Sequence, residues 1–149
     1  MNKEFKTKIS PCEITESDLA LINRFTVKEL KADEVYSFNV ILCDNDVDRD
    51  GERFSNEALS QLAKLFVGVT GIFDHDPKSS NQSARIYSAE CVNIPGKKTV
   101  TGEDYLCVKA KAYMPLTEKN ADLIGDINAG IKKEVSVSCA VADFTCSIC

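Results

Sequence analysis

The chain lacks the features that several broad functional classes require. Its 149 residues carry a net charge of −5 and contain no basic run longer than a lysine pair, which argues against a nucleic-acid partner. No apolar run approaches the roughly 18 residues of a membrane-spanning helix, so no membrane partner is expected. Residues 1–8 lack the apolar core of a signal peptide, and the protein is expected to stay in the compartment where it is made.

Histidine is the scarcest chemically active residue. His75 is the only one, and it lies between Asp74 and Asp76. Free histidine has a pKa of about 6.5, so an imidazole can take up and release a proton near neutral pH. If the protein carries out acid–base chemistry on a serine or cysteine, His75 is the predicted base. The alternative is a surface or hydrogen-bonded structural histidine.

Cysteine is plentiful, but its count is odd. There are 7 cysteines and no export signal, so most are predicted to be reduced core residues. Cys146 and Cys149 form a C-x-x-C pair, which supplies half of a zinc site, and no second pair is visible. A chain that stops on a cysteine is expected to be truncated.

Hydrophobic periodicity predicts one α+β domain over residues 1–149. Helices are predicted at 15–25, 55–67 and 117–129, and strands at 34–43, 84–94, 104–113 and 135–141, with a short strand leading into His75. Pro95–Lys98 is predicted to be a turn, and residues 1–12 a flexible lead-in. This order favours a mostly antiparallel β-sheet or barrel with flanking helices.

An acidic stretch between the first long strand and the second helix matches the pattern of a calcium-binding loop in full. Its candidate ligands are Asp46, Asp48, Asp50, Glu52 and Glu57. Three features oppose calcium: a strand precedes the loop, Arg53 occupies a normally apolar position, and no sister loop exists. A calcium loop and a solvated acidic turn both stay open, and no cofactor is predicted.

The last predicted strand presents two serines on one face. Ser136 and Ser138 alternate with Val135, Val137 and Cys139, so the hydroxyls point away from the apolar side chains. This pattern fits the exposed side of a half-buried strand. It also fits a nucleophile, which needs a rigid backbone that fixes its position relative to the base. Cys139 is an alternative nucleophile, but its side chain is expected to face the core.

The order of these stretches resembles the prohead (capsid-maturation) proteases of tailed bacteriophages, distant relatives of the herpesvirus assemblins. The resemblance covers Tyr36–Val141. It comprises the acidic stretch Asp48–Glu52, a helix, a strand ending at Asp74–His75, an alternating strand, a helix ending in glycine, and Val135–Val137. It implies a herpesvirus-protease-like fold and a serine endopeptidase that processes phage scaffold and major capsid proteins, and itself. That activity would take place inside the assembling procapsid, in the host cytoplasm.

Matching positions in the family imply the roles of the site residues. His75 matches the general base and Ser136 the nucleophile, with Ser138 as the rival nucleophile. The herpesvirus enzymes use a second histidine as third catalytic member, and this chain has none.

The third member must then be a carboxylate, a water molecule or absent. Glu90, in the following strand, is the predicted carboxylate. Asp74 and Asp76 are the alternatives, less favoured because neighbouring side chains on a strand point away from each other. A non-enzymatic capsid-associated or calcium-binding module of the same fold is the alternative function. The sequence leaves the oligomeric state open and is compatible with a homo-oligomer.

Overall fold

Within residues 9–148, which this computed structural model describes, an antiparallel sheet of five strands curls into a half-barrel flanked by three helices. The sheet order is β1-β2-β5-β4-β3. The strands are β1 (Ser10–Pro11), β2 (Val35–Asp44), β3 (Thr70–Ile72), β4 (Gln82–Lys98) and β5 (Asp104–Pro115). The helices are α1 (Glu16–Asn23), α2 (Asn56–Phe66) and α3 (Glu118–Asn128). The predicted α+β class with a mostly antiparallel sheet is confirmed.

The central strand β5 divides the sheet into two chemically different faces. The core face carries apolar side chains from three strands, namely Phe38, Val40, Ala84, Ile86, Ala110, Ala112 and Met114. The outer face carries mainly polar side chains, among them Ser37, Asn39, Glu90, Lys109 and Lys111, together with Tyr87. The predicted alternation of β5, with lysines opposite alanines, therefore sets the two faces.

Helices α2 and α3 cover the core face. Ser55 caps α2 by accepting a hydrogen bond from the Ala58 N–H at 3.1 Å, as expected of a serine before a helix. Leu59 and Ala63 of α2 then pack against Val108, and Ile127 of α3 packs over the alanines of β5. Both helices span 11 residues. Within residues 9–148, no helix is long and apolar enough to cross a membrane.

Helix α1 packs on the outer face through the buried Ile22 and a partly buried ion pair. Asp18 closes a capping box with Thr15, and its carboxylate accepts hydrogen bonds from Lys111 Nζ at 2.9 Å and Tyr87 Oη at 3.3 Å. Burial by itself would raise the pKa of Asp18, but the hydrogen bonds from Lys111 and Thr15 outweigh it and hold the pKa below its ordinary value. Asp18 therefore joins α1 to the sheet in its ionised form.

The predicted turn at Pro95–Lys98 is wrong, because β4 continues through Lys98 and the chain reverses at residues 99–103. Between the pairs Asn93↔Leu106 and Lys98↔Asp104, β4 contains more residues than β5, and the excess forms a bulge. Gly96, with φ of 76°, adopts the left-handed conformation inside this irregularity. Proline and glycine at this point therefore mark a bulge and not a chain reversal.

The predicted final strand at 135–141 is also wrong, because these residues make no ladder hydrogen bonds within the described chain. On the outer side of β2 only a short strand pairs: β1 joins Ser10 to Asn39 and Pro11 to Phe38. This strand lies in the described part of the predicted lead-in, residues 9–12. Residues 1–8 lie outside the described chain.

The cysteines behave as the sequence predicts within the sheet and differently in the tail. Cys107 is buried, Cys43 and Cys91 are half-buried, and all three are free thiols. Burial raises the pKa of the Cys43 thiol to about 12, so this group is an inert core residue. Cys139 is exposed, which corrects the expectation that it faces the core. Cys149, and with it the C-x-x-C pair, lies outside the described residues.

The Asp18 ion pair gives a first testable prediction. Asp18→Ala should lower the free energy of unfolding at pH 7 by about 2 kcal/mol, because it removes the helix cap and leaves Lys111 and Tyr87 without their partner. The folded pKa of Asp18 is depressed, so its contribution is present above the unfolded value of about 3.9 and disappears as the pH falls through the folded value. Urea unfolding at pH 7 and pH 3 measures both effects.

Asp104→Ala is the matched control. Asp104 pairs with Lys98 at 2.6 Å, but both side chains are exposed, so this variant should cost less than about 1 kcal/mol. Equal losses for the two variants at pH 7, or a loss at Asp18 that is unchanged at pH 3, would contradict the assignment.

Candidate active site

A cleft of about 620 Å³ opens on the core face of the sheet. Its floor is apolar and includes Phe38, Val40, Ile86, Ala112 and Met114. Its rim is formed by the turn after β3 on one side and by residues 131–138, which follow α3, on the other. The cleft thus brings together the two stretches that the sequence singles out, with His75 in one and Ser136 and Ser138 in the other.

His75 lies in a tight turn and not on a strand, which corrects its predicted placement. The Asp76 N–H donates to the Phe73 carbonyl at 3.0 Å, and the two central residues, Asp74 and His75, have φ values of 56° and 53°. Positive φ at both central positions is the pattern of a type I′ turn, which favours glycine and asparagine. The turn presents both side chains to solvent at the rim of the cleft.

This turn stores backbone strain at the rim of the cleft. Within residues 9–148, Asp74 and His75 are the only non-glycine residues with positive φ. Left-handed backbone costs roughly 1–2 kcal/mol per residue for L-amino acids, although aspartate and histidine tolerate it better than bulky residues do. Such outliers cluster at functional sites, where the surrounding structure holds them in place.

Residues 131–138, here called the serine segment, follow the C-terminal end of α3. Gly130, with φ of 73°, donates to the Ile127 carbonyl at 3.0 Å, and Ile131 donates to the Asp126 carbonyl at 2.9 Å. These two bonds form a Schellman motif, which ends the helix and turns the chain sharply. The turn directs residues 131–138 along the cleft.

The alternation of this segment follows the predicted pattern although no strand forms. Val135 packs against the core cluster and Val137 is half-buried, while Ser136 and Ser138 are exposed. All four residues line the cleft. Within residues 9–148, no hydrogen bond joins either hydroxyl to the imidazole. Catalytic hydrogen bonds are often looser in a free enzyme than in its substrate complex.

Glu90, the predicted third member, does not line the cleft. It lies on the outer face in a second pocket with Ser88, Lys109 and Lys111. A register shift between Ile86 and Ser88 explains this position. Before it the even-numbered residues of β4 face the core, and after it the odd-numbered ones do, so Glu90 points away from His75.

The two aspartates that flank His75 have different surroundings. Asp76 binds Lys78 Nζ at 2.9 Å and accepts the Lys78 N–H at 3.3 Å. Asp74 lines the cleft. Glu134 lines it as well, a residue that the sequence interpretation did not select although it directly precedes Val135–Val137. Of the three carboxylates named from the sequence, Glu90, Asp74 and Asp76, Asp74 is the one that lines the cleft with His75.

The acidic loop uses its carboxylates to hold the backbone. Asp48 Oδ1 accepts the N–H groups of Asp50 and Glu52, both at 2.9 Å, and Asp46 Oδ1 accepts the Val100 N–H at 2.9 Å. Within residues 9–148, no group of three or more His, Cys, Asp or Glu side chains is arranged to hold a metal ion. The loop therefore has the geometry of an acidic turn docked on the hairpin at residues 99–103.

Calorimetry with Ca²⁺ tests this interpretation of the loop. We expect no saturable heat at millimolar ion, because the carboxylates of the described loop are not gathered around one point where an ion could bind. A saturable heat that disappears in Asp50→Ala would contradict the prediction, since Asp50 is a ligand position in the calcium pattern and its carboxylate is exposed.

Comparison with known proteins assigns no identity to the chain. No family model, no curated protein and no solved structure matches it. A function for the cleft therefore rests on the geometry and chemistry of the residues described above.

Proposed function

We propose that the protein is a serine endopeptidase of the prohead-protease type, with Ser136 as nucleophile and His75 as general base. The observation that carries this proposal is that both residues line one cleft, although 61 positions separate them in the chain (136 − 75 = 61). A solvent-accessible imidazole and a hydroxyl that line the same apolar cleft are the minimal parts for acyl transfer to serine.

The reaction follows from these two groups. A serine hydroxyl is a weak nucleophile, so neutral His75 takes its proton as Ser136 Oγ attacks the scissile carbonyl. The resulting imidazolium gives that proton to the leaving amine when the peptide bond breaks. Water then attacks the acyl-enzyme with His75 again as base, which releases the new carboxyl terminus and restores the serine.

Asp74 is the proposed partner of the imidazolium. A carboxylate beside the ring fixes its orientation and stabilises the positive charge that forms during attack. The strained turn at Asp74–His75 places both residues on the rim of the same cleft. Asp76 is less suited to this role because Lys78 already neutralises it.

The backbone of the serine segment supplies the oxyanion stabilisation in this proposal. Within the described chain, residues 133–138 donate no backbone hydrogen bond, so their N–H groups can turn toward the developing oxyanion. Backbone donors close to the nucleophile are the usual solution for acyl transfer on serine.

The substrates that fit are peptide segments of phage scaffold and major capsid proteins, and the chain itself. The apolar floor of the cleft would bury apolar side chains of an extended substrate, as ligand-binding clefts usually do. The half-barrel with flanking helices is consistent with the herpesvirus-protease-like fold that the motif order implies. The proposed place of action is the assembling procapsid, in the host cytoplasm.

One observation favours a second candidate function. Within residues 9–148, no hydrogen bond joins His75 to a serine, and the serine segment belongs to no sheet ladder. A non-enzymatic capsid-associated module of the same fold would need neither a hydrogen bond from His75 to a serine nor a serine held in a sheet. Such a module would bind capsid or scaffold segments in the cleft without cutting them.

Processing assays on single variants separate these functions and also distinguish the two serines. Residues two apart on an extended chain lie about 6.5–7 Å apart, so one imidazole cannot serve both hydroxyls equally. Ser136→Ala and His75→Ala should abolish cleavage of a proteome-derived peptide mixture, measured by mass spectrometry of new amino termini. Ser138→Ala should retain most of the wild-type activity.

All three side chains are exposed, so the melting temperatures of these variants should stay close to that of the parent. Full activity in His75→Ala would rule out the mechanism. Loss of activity in Ser138→Ala alone would move the nucleophile to Ser138, and a wild-type chain that cuts nothing would favour the binding module.

A further inference from the structure

We propose that Lys132 is a positioning residue that holds the serine segment against the His75 turn, an inference that rests on the proposed function. Its ammonium Nζ lies 3.1 Å from Asp126 Oδ2 at the end of α3. The same Nζ lies 5.7 Å from the centre of the Phe73 ring, the first residue of the His75 turn. One cation at the start of the serine segment thus contacts the end of α3 and the ring that begins the His75 turn.

The serine segment needs such a contact because little else holds it. The Schellman motif fixes the chain only as far as Ile131 and Lys132, whose N–H groups both donate to the Asp126 carbonyl, at 2.9 and 3.2 Å. Beyond that point the described chain has no ladder hydrogen bonds, and its packing contacts include the partly buried Val135 and Val137. Ser136 lies four positions after Lys132 (136 − 132 = 4).

Backbone hydrogen bonds fix Phe73, the residue that Lys132 contacts on the His75 turn. The Phe73 carbonyl closes the His75 turn by accepting the Asp76 N–H at 3.0 Å, and the Phe73 N–H donates to Asn81 at 3.4 Å. The ring of Phe73 is half-exposed, so its face is open to a cation. A displaced Phe73 would carry the strained Asp74–His75 backbone with it.

The contact should act locally and not on overall stability. The side chains of Lys132 and Asp126 are 53% and 41% exposed, and exposed ion pairs of this kind stabilise a fold only slightly. A segment with few other contacts is nevertheless sensitive to losing one of them. Lys132 therefore governs the distance between Ser136 and His75 while leaving the core unchanged.

The neighbouring lysine offers a matched control. Lys133 also lines the cleft and has the same charge, but no ion pair or ring contact involves it within residues 9–148. Lys132→Met removes the charge and keeps the length of the side chain, and Lys133→Met does the same one position later. Lys132→Arg keeps both the ion pair and the ring contact.

The experiment measures two quantities on the full chain: the rate of fluorophosphonate labelling of Ser136 across pH, and amide hydrogen exchange. We expect Lys132→Met to lower the labelling rate about tenfold or more, since a misplacement of about 1 Å can cost ~100-fold. The loss should persist at the high-pH plateau, where the imidazole is neutral in both chains, so it reports position and not charge. Lys132→Arg should restore the rate, and Lys133→Met should lower it much less than Lys132→Met does.

Hydrogen exchange separates this inference from the proposed function. Lys132→Met should speed exchange of the hydrogen-bonded amides of Phe73 and Asp76 in the His75 turn, whether or not the chain is an enzyme. If the parent does not label at Ser136, the proposed function fails while the exchange data still test the contact. Unchanged exchange in Lys132→Met, or equal losses of labelling in Lys132→Met and Lys133→Met, would overturn the inference.

Discussion

The structure depends on covering the apolar core face of the half-barrel. Exposed apolar surface costs about 25 cal/mol per Å², so a sheet with one apolar face is stable only when other parts of the chain lie over it. Helices α2 and α3 cover most of that face, and residues 131–138 extend the cover beyond α3. The cover stays incomplete, and the remaining opening is the cleft. Because the segment that borders this opening carries Ser136 and the turn after β3 carries His75, the packing of the core determines which side chains line the cleft.

The cleft has a rigid floor and rims with fewer backbone hydrogen bonds. The floor is built from paired strands, whereas the candidate reactive groups lie on a tight turn and on an extended segment without ladder hydrogen bonds. Reactive residues on loops above a stiff scaffold are a common arrangement in enzymes. On the opposite face, the partly buried pair of Asp18 and Lys111 joins α1 to the sheet and has no part in the cleft. The fold thus separates the interaction that stabilises the outer face from the site on the core face.

Local signals in the sequence predicted the elements, and pairing between distant segments decided the rest. Thr15 and Ser55 mark the starts of α1 and α2, and alternating residues mark β5. The strand predicted at Val135–Val141 does not form, because an alternating pattern does not by itself supply a partner strand. Glu90 lies outside the cleft because a register shift after Ile86 exchanges the faces of β4. The left-handed turn at Asp74–His75 carries no glycine or asparagine signal, so sequence predicted a strand there.

The central claim is that the cleft activates one hydroxyl, and residue-level mapping of a fluorophosphonate adduct tests it most directly. The full chain is treated with the reagent, digested and examined by mass spectrometry, with His75→Ala treated in parallel. The account predicts a single adduct on Ser136 in the parent and none in His75→Ala. An unmodified parent chain, an adduct at another residue, or an adduct on Ser136 that forms equally fast without His75 would contradict it.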